Sequence, residues 1–244
     1  MVKLSVNLNK VALLRNTRMI GIPSITAAAR TCIAAGADGI TVHPRPDERH
    51  IRRADVLEIA ALLRDHSAVE FNIEGNPFPE FLDLVRRVRP TQCTLVPDSP
   101  EAFTSDHGWA LPADSDRLRP IVAELRSSGI RVSLFMDAEA ESIARAADTG
   151  ADRVELYTEP YAAAHARGDA KSELPRFATA ARAAERAGLG VNAGHDLNLD
   201  NLGEFCASIP SLLEVSIGHA LIADALDMGL YNAVRDYLRV LKHT

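Results

Sequence analysis

Cysteine is scarce in this sequence. Its three residues, Cys32, Cys93 and Cys206, lie far apart with no CxxC spacing. That argues against a disulfide framework and fits free thiols in a reducing cytoplasm. Cys32 falls in an alanine-rich helical stretch and Cys93 in a strand, where small buried side chains fit. Long apolar runs are missing too. No stretch approaches the roughly 18 residues of a membrane span, and the opening segment MVKLSVNLNKVALLR is too polar for the core of a secretory signal. A cytoplasmic protein with no membrane partner is expected. Positive charge is in deficit: 27 Lys and Arg face 33 Asp and Glu, a formal net charge of −6. A nucleic-acid or anionic-membrane binder would usually carry a positive field, so neither partner is expected. Anionic ligands would need local arginines, histidines and helix N-termini to overcome the global repulsion. There is no HExxH and no HxH on the first strand, and the histidines come singly from different segments. A zinc or manganese site is therefore the weaker reading.

What is present is a repeating alternation. The chain has 244 residues, 47% of them hydrophobic and 25% charged, enough to bury a sizeable core. Short β-branched segments at 4–9, 39–44, 69–74, 92–97, 131–137, 153–158, 190–195 and 214–219 read as strands. Alanine- and leucine-rich stretches between them read as helices, and a final one runs over 220–242. Eight strands in βα alternation predict one α/β domain over 1–244, a parallel eight-stranded (β/α)8 barrel of phosphate-binding type. A doubly wound open sheet is the rival, but VNLNKVALLRN lacks the Gly-rich phosphate loop expected after its first strand. The stretch 98–116 is long for a βα connection and reads as a lid or binding loop.

Barrel chemistry sits at the C-terminal ends of strands. Here those ends carry Asn7, Asn9, His43, Glu74, Asp137, Glu155, His195 and His219. Alternation turns Asn7, Asn9, Glu74 and Glu155 toward the barrel axis. Any one of these could be a satisfied core polar group, but so many ionisable groups together fit acid–base catalysis better. Gly218 stands at the turn after the eighth strand, where helix N–H groups attract an anion. Arg45, Arg49 and His50 follow His43 between two prolines and offer a second anion site, although Asp47 and Glu48 dilute it. A solvated charged loop is the weaker alternative there.

The blocks VNLNKVALLRNTR, GADGITVHPRPDERHI, FNIEG, TLVPD, GIRVSLFMDA, VELYTEPYA, GLGVNAGHDLN and SIGHALI together resemble the pyridoxine 5′-phosphate synthase family, from the first strand to the last helix. The resemblance implies a cofactor-independent, metal-free transferase, commonly an octamer built from dimers. Its members condense 1-deoxy-D-xylulose 5-phosphate with 3-amino-2-oxopropyl phosphate to give pyridoxine 5′-phosphate, phosphate and water. By the same resemblance His43 and Glu74 are general bases, His195 a general acid, and Glu155 the group that stabilises the addition intermediate. Asn7 and Arg18 match contacts to the aminoketone phosphate, which Gly218 and His219 cradle. Arg45, His50 and Thr104 match contacts to the sugar phosphate.

The chain departs from the family pattern in three places. Asn9-Lys10 stands where many members have Asp-His, and either pair can touch the sugar phosphate. Asp196 stands where members often have Gly, with some electrostatic cost to a phosphate there. YTEPYA replaces the more common HTGxYA. Two alternatives remain at this level: another phosphosugar enzyme of the same fold, an aldolase or isomerase, and a non-catalytic phosphate-ligand binding protein. A Schiff-base aldolase would want a lysine near a late strand end, and the last four strands contain none.

Overall fold

Alternation along each short strand decides which side chains meet helices and which meet the barrel axis. The computed structural model describes residues 1–243. Its strands are β1 Lys3–Asn7, β2 Gly39–Val42, β3 Glu70–Gly75, β4 Gln92–Leu95, β5 Arg131–Met136, β6 Arg153–Tyr157, β7 Gly190–Gly194 and β8 Leu212–Ile217. Each pairs in parallel with the next and β8 pairs with β1, closing the barrel. The expected (β/α)8 architecture is the one adopted, and the open sheet is set aside.

Around the strands lie α1 Asn9–Asn16, α2 Ile25–Ala35, α3 Arg53–Leu63, α4 Pro79–Val88, α5 Ser115–Ser127 and α6 Ala140–Ala146. They are followed by α7 Glu159–Ala166, α8 Ala170–Arg186, α9 Leu202–Ser208, α10 His219–Met228 and α11 Leu230–Lys242. No helix among the described residues is long and apolar enough to cross a membrane. Outward-facing Leu4, Val6, Ile40, Val42, Ile73, Leu95, Val154 and Leu156 are fully buried against these helices. The helices answer with matching stripes. In α4, Pro79 sets the first turn, Phe81, Leu82 and Val85 are buried, and Arg86 and Arg87 face the negative end of the dipole. In α8 the buried face is largely alanine, Ala180, Ala181 and Ala184, which lets the helix lie close to the sheet. Tyr161 of α7 fills the adjoining space against Phe177 and Phe205, and its hydroxyl donates to the Asn201 carbonyl at 2.7 Å.

The strands begin and end within about two residues of the sequence reading, β2 at Val42, β4 at Leu95 and β8 at Ile217 each stopping short of it, and two differences have a clear local cause. The first strand stops at Asn7, not residue 9, because Asn7 Oδ1 accepts the Asn9 N–H at 3.0 Å and turns the chain into α1. Asn9 therefore opens a helix and does not alternate into the barrel. The final helical stretch is two helices, split at Gly229 with φ 82°, a left-handed value that glycine adopts without a Cβ clash. The segment after β2 is tied down from α1. Arg15 forms a buried ion pair with Asp55 and donates to the His50 carbonyl at 3.0 Å, while Asn16 Nδ2 donates to the same carbonyl at 2.8 Å.

The long 98–116 loop is equally anchored. Trp109 is buried, its Nε1 donating to Leu95 O at 2.8 Å and its backbone N–H to Phe135 O at 3.0 Å. Beside it, a Cβ added to Gly108 would overlap the backbone of Met136 and Asp137. Gly108→Ala is thus expected to lower stability by about 1–3 kcal/mol through overpacking. The measurement is the urea midpoint at constant m-value; an unchanged midpoint would mean that the loop does not need this close approach.

Candidate active site

The polar inner faces build the site from the barrel floor upward. At the floor, Glu70 is ion-paired with both Lys3 and Arg131. Burial works against its charge, but the hydrogen bonds from Lys3 and Arg131 outweigh it and hold this carboxyl below its usual range. One layer up, Glu214 Oε1 lies 3.4 Å from Gln92 Nε2 and 3.4 Å from Asn192 Nδ2. Higher still, Glu74 accepts from Asn72 Nδ2 at 3.3 Å and Asn7 Nδ2 at 3.4 Å, and Thr94 Oγ1 stands 3.4 Å from Glu155 Oε2. The Glu155 carboxylate rests against Gly194 of β7, where any Cβ would overlap it.

These upper carboxyls have no cation beside them. Burial first, then repulsion from Glu155, Asp98 and Glu214, pushes Glu74 well above the usual carboxylate range; the Ser216 hydroxyl offsets this in part. Burial and Glu214 push Glu155 up to about 8, opposed by the Thr94 hydrogen bond. Glu214 is raised by burial and by Glu70, against the pull of Arg153 and Arg131. Burial thus favours the protonated form of all three, and at neutral pH that is the main form of Glu155.

The histidines after β2 are held the opposite way. Burial, then Arg45, His50 and Arg49, keeps His43 neutral by pushing it well below the usual imidazole value. Burial, with Arg45, Lys10 and Arg49, pushes His50 down to about 4. His50 Nδ1 accepts the Ile51 N–H at 2.8 Å, which leaves Nε2–H as the donor. Asn9 Oδ1 accepts the His43 N–H at 2.9 Å and so aligns the end of β2. That task needs only an acceptor oxygen, which Asp and Asn both have.

A cavity of about 370 Å³ opens over these groups. It is lined by Asn7, Asn9, Lys10, His43, Arg45, His50, Glu74, Thr104, Glu155, His195, Asp196, Gly218 and His219. Arg18 lies outside it, exposed beyond the end of α1. Thr104 arrives from the long loop, its Oγ1 3.1 Å from His195 Nε2. Arg45 is buried in an ion pair with Asp98, also donates to the Ala102 carbonyl at 2.9 Å, and so fastens the loop to the mouth. A larger neighbouring cavity of about 530 Å³ shares the walls of His43 and Arg45 but is otherwise lined in large part by Pro44, Phe78, Phe81 and Leu84. It has fewer titratable groups and is the poorer seat for acid–base chemistry. α10 points its N-terminus at the smaller cavity with no acidic residue in its first turn and no side-chain cap, leaving N–H groups for an anion.

Four contributors escaped the sequence reading: Asp98, Tyr157, Glu214 and Ser216. The alternation of β8 would have put Glu214 and Ser216 on one inner face with Gly218. The alternation of β6 likewise puts Tyr157 on the inner face with Glu155; Asp98 carries no such signal, since its role depends on how the long loop folds against Arg45.

The chain is similar to known proteins over nearly its whole length. Residues 4–243 match the family model described as pyridoxal phosphate biosynthesis protein PdxJ. A pyridoxine 5′-phosphate synthase of Albidiferax ferrireducens is 58% identical, with 98% of this chain and 97% of the relative covered. One from Xanthomonas oryzae pv. oryzae is 57% identical, with 99% and 97% covered. Among solved structures, Mycobacterium tuberculosis tryptophan synthase superposes with a TM-score of 0.67 at 12% identity, over 98% of this chain and 92% of that one. Thiamine phosphate pyrophosphorylase from Pyrococcus furiosus gives 0.60 at 14% identity, over 99% and 96%. At such identities these two show the barrel fold alone.

The raised carboxyls have a consequence for stability. Below pH about 4.5 Glu155 is protonated folded and unfolded; between there and about 8 only the unfolded chain ionises. Stability is therefore drained as pH rises through that window, by on the order of 4 kcal/mol for this group. Glu155→Gln is expected to be near neutral at pH 5 and stabilising at pH 8, in urea titrations at both pH values. A difference between variant and parent that does not grow with pH would show that Glu155 is ionised in the folded barrel.

Proposed function

This chain belongs to the PdxJ family of pyridoxal phosphate biosynthesis proteins, and from that footing we propose that it is a pyridoxine 5′-phosphate synthase. It joins 1-deoxy-D-xylulose 5-phosphate to 3-amino-2-oxopropyl phosphate, releasing pyridoxine 5′-phosphate, phosphate and water. The observation that carries the reading is a single cavity in which buried carboxyls shifted up, buried imidazoles shifted down and anion-binding groups face one another. Ring closure needs several proton transfers at different atoms, and so several acids and bases around one space.

The proposed roles follow from the charge states. His43 is held neutral and so can take a proton. Burial favours the protonated form of Glu74, but an arriving cationic amine favours its ionised form, so binding itself draws it toward acting as a base. The amine, freed of its proton, attacks the sugar ketone. Glu155 stabilises the resulting addition intermediate, and His195 protonates the leaving hydroxyl so that water departs. Further proton removal from carbon by His43 and Glu74 expels phosphate and generates the nucleophile that closes the ring.

Two anion sites hold the reactants apart so that the reactive carbons meet. The N-terminus of α10, with Gly218, His219 and Asn7, suits the aminoketone phosphate; a Cβ on Gly218 would come within 3.2 Å of Asn7 Cβ, so the close approach favours glycine. His50 Nε2–H, Lys10, Arg45 and Thr104 suit the sugar phosphate. The loop carrying Thr104 excludes water from the imine stages. Assembly into a homo-oligomer, an octamer by family resemblance, is supported by exposed Leu14, Met19, Ile20 and Ile22. Arg18 stands among them, and its phosphate contact is proposed to be made across such an interface. Cytoplasmic placement is supported by the buried, unpaired Cys32, Cys93 and Cys206.

The test is turnover by chelator-treated protein with both substrates. Pyridoxine 5′-phosphate, followed by ultraviolet absorbance and mass, is expected in equal amount to released phosphate. Glu74→Gln is expected to lose about 10²–10⁴-fold in kcat. Phosphate binding without ring product, under conditions where a related synthase works, would overturn the assignment.

A further inference from the structure

His195 and Asp196 follow β7 with φ 86° and 61°, both in the left-handed region that non-glycine residues avoid. Family members often place glycine at the second position, where that conformation costs little. This chain keeps an aspartate there, so its side chain has to supply something glycine does not. Its carboxylate lies 2.8 Å from His195 Nδ1, and the hydrogen bond from His195 is the main reason its own proton affinity falls below the usual carboxylate range. The other ring nitrogen, Nε2, faces Thr104 Oγ1 at 3.1 Å. We propose that Asp196 is a positioning residue that fixes His195 in the Nδ1–H form, so that Nε2 is the nitrogen that gives and receives the catalytic proton.

The argument is one of hydrogen-bond polarity. A carboxylate only accepts, so the nitrogen beside it must carry hydrogen in both charge states of the ring. When the ring is protonated, Nε2–H is presented to the cavity. As the substrate C–O bond breaks, the Nε2–H bond breaks with it, the proton passes to the departing hydroxyl, and water leaves. The neutral ring left behind is already in the form that Asp196 stabilises, with its lone pair on Nε2 ready to be protonated again. Without the carboxylate nothing distinguishes the two nitrogens, and the ring can present either.

The surroundings support a fixed ring. The Tyr157 ring packs edge-on to His195, with centroids 5.1 Å apart and planes at 79°. The Thr158 hydroxyl lies within reach of both Gly194 O, at 2.8 Å, and His195 O, its one hydrogen serving the pair, and Asn201 Nδ2 donates to Asp196 O at 3.2 Å. The turn is thus held by two further side chains beyond the His195–Asp196 pair. Lys10 and His219 share the cavity and draw the added carboxylate toward its charged form. The two departures, Lys10 and Asp196, therefore bring opposite charges to one mouth, which limits the repulsion Asp196 exerts on phosphate.

This inference rests on the synthase reading for what the proton does, but its test does not depend on turnover. Protein labelled with ¹⁵N-histidine is compared with Asp196→Gly, with the His195 signals assigned from His195→Asn. Glycine accepts the left-handed turn, so the variant is expected to fold with an unchanged or higher melting temperature. In the parent, neutral His195 is expected to show hydrogen on Nδ1; in Asp196→Gly it moves to Nε2 or averages between the two. With substrates, kcat is expected to fall about tenfold while KM changes less than about twofold. An unchanged tautomer in Asp196→Gly, or an unchanged kcat, overturns the proposal. Should the parent make no pyridoxine 5′-phosphate, the synthase reading falls while the tautomer comparison still decides what Asp196 does.

Discussion

Carboxyl groups buried in the barrel lumen, with cations beside Glu70 at the floor and none beside Glu74 and Glu155 above it, set the terms for the rest of the site. Glu70 is ionised because Lys3 and Arg131 close on it. Glu74 and Glu155, higher on the same inner faces, have only amides, hydroxyls and one another. An isolated charge buried in such surroundings costs several kcal/mol, which shifts both groups toward their protonated forms. The same desolvation that makes these groups poor contributors to stability makes them responsive to an incoming cation.

The mouth follows from that choice. Upper carboxyls shifted toward their protonated forms repel phosphate less than carboxylates would, which favours anions at one end of the barrel of an acidic protein. The histidines after β2 add donors without adding charge, because burial and the neighbouring arginines keep them neutral. Arg45 has a second duty: paired with Asp98, it carries part of the long loop to the cavity edge. The phosphate contact proposed for Arg45 and the anchoring of the loop share one guanidinium, so a phosphate engaging Arg45 would also bear on where the loop rests.

The departures from the family pattern read differently in three dimensions than along the chain. Asn9 keeps the acceptor oxygen that aligns His43, so the loss of a carboxylate there leaves the turn intact. Asp196 spends its charge on His195, and Lys10 stands across the same cavity. Changes that look separate in sequence adjust one electrostatic environment.

Much of the architecture was legible in the order of residues, because β-branched alternation and alanine-rich stretches are local signals. Eight strands, the inward set Asn7, Glu74 and Glu155, and the glycine turn after β8 all follow from spacing alone. Local rules failed where a side chain competed with the backbone, as Asn7 does in ending β1, or where one glycine interrupted a continuous apolar stripe, as Gly229 does between α10 and α11. What the sequence by itself determined is therefore which residues meet at the strand ends. Their charge states, the pairing of Arg45 with Asp98 and the fixing of His195 by Asp196 were decided only by the tertiary structure, because desolvation and hydrogen-bond geometry depend on distances that chain order does not contain.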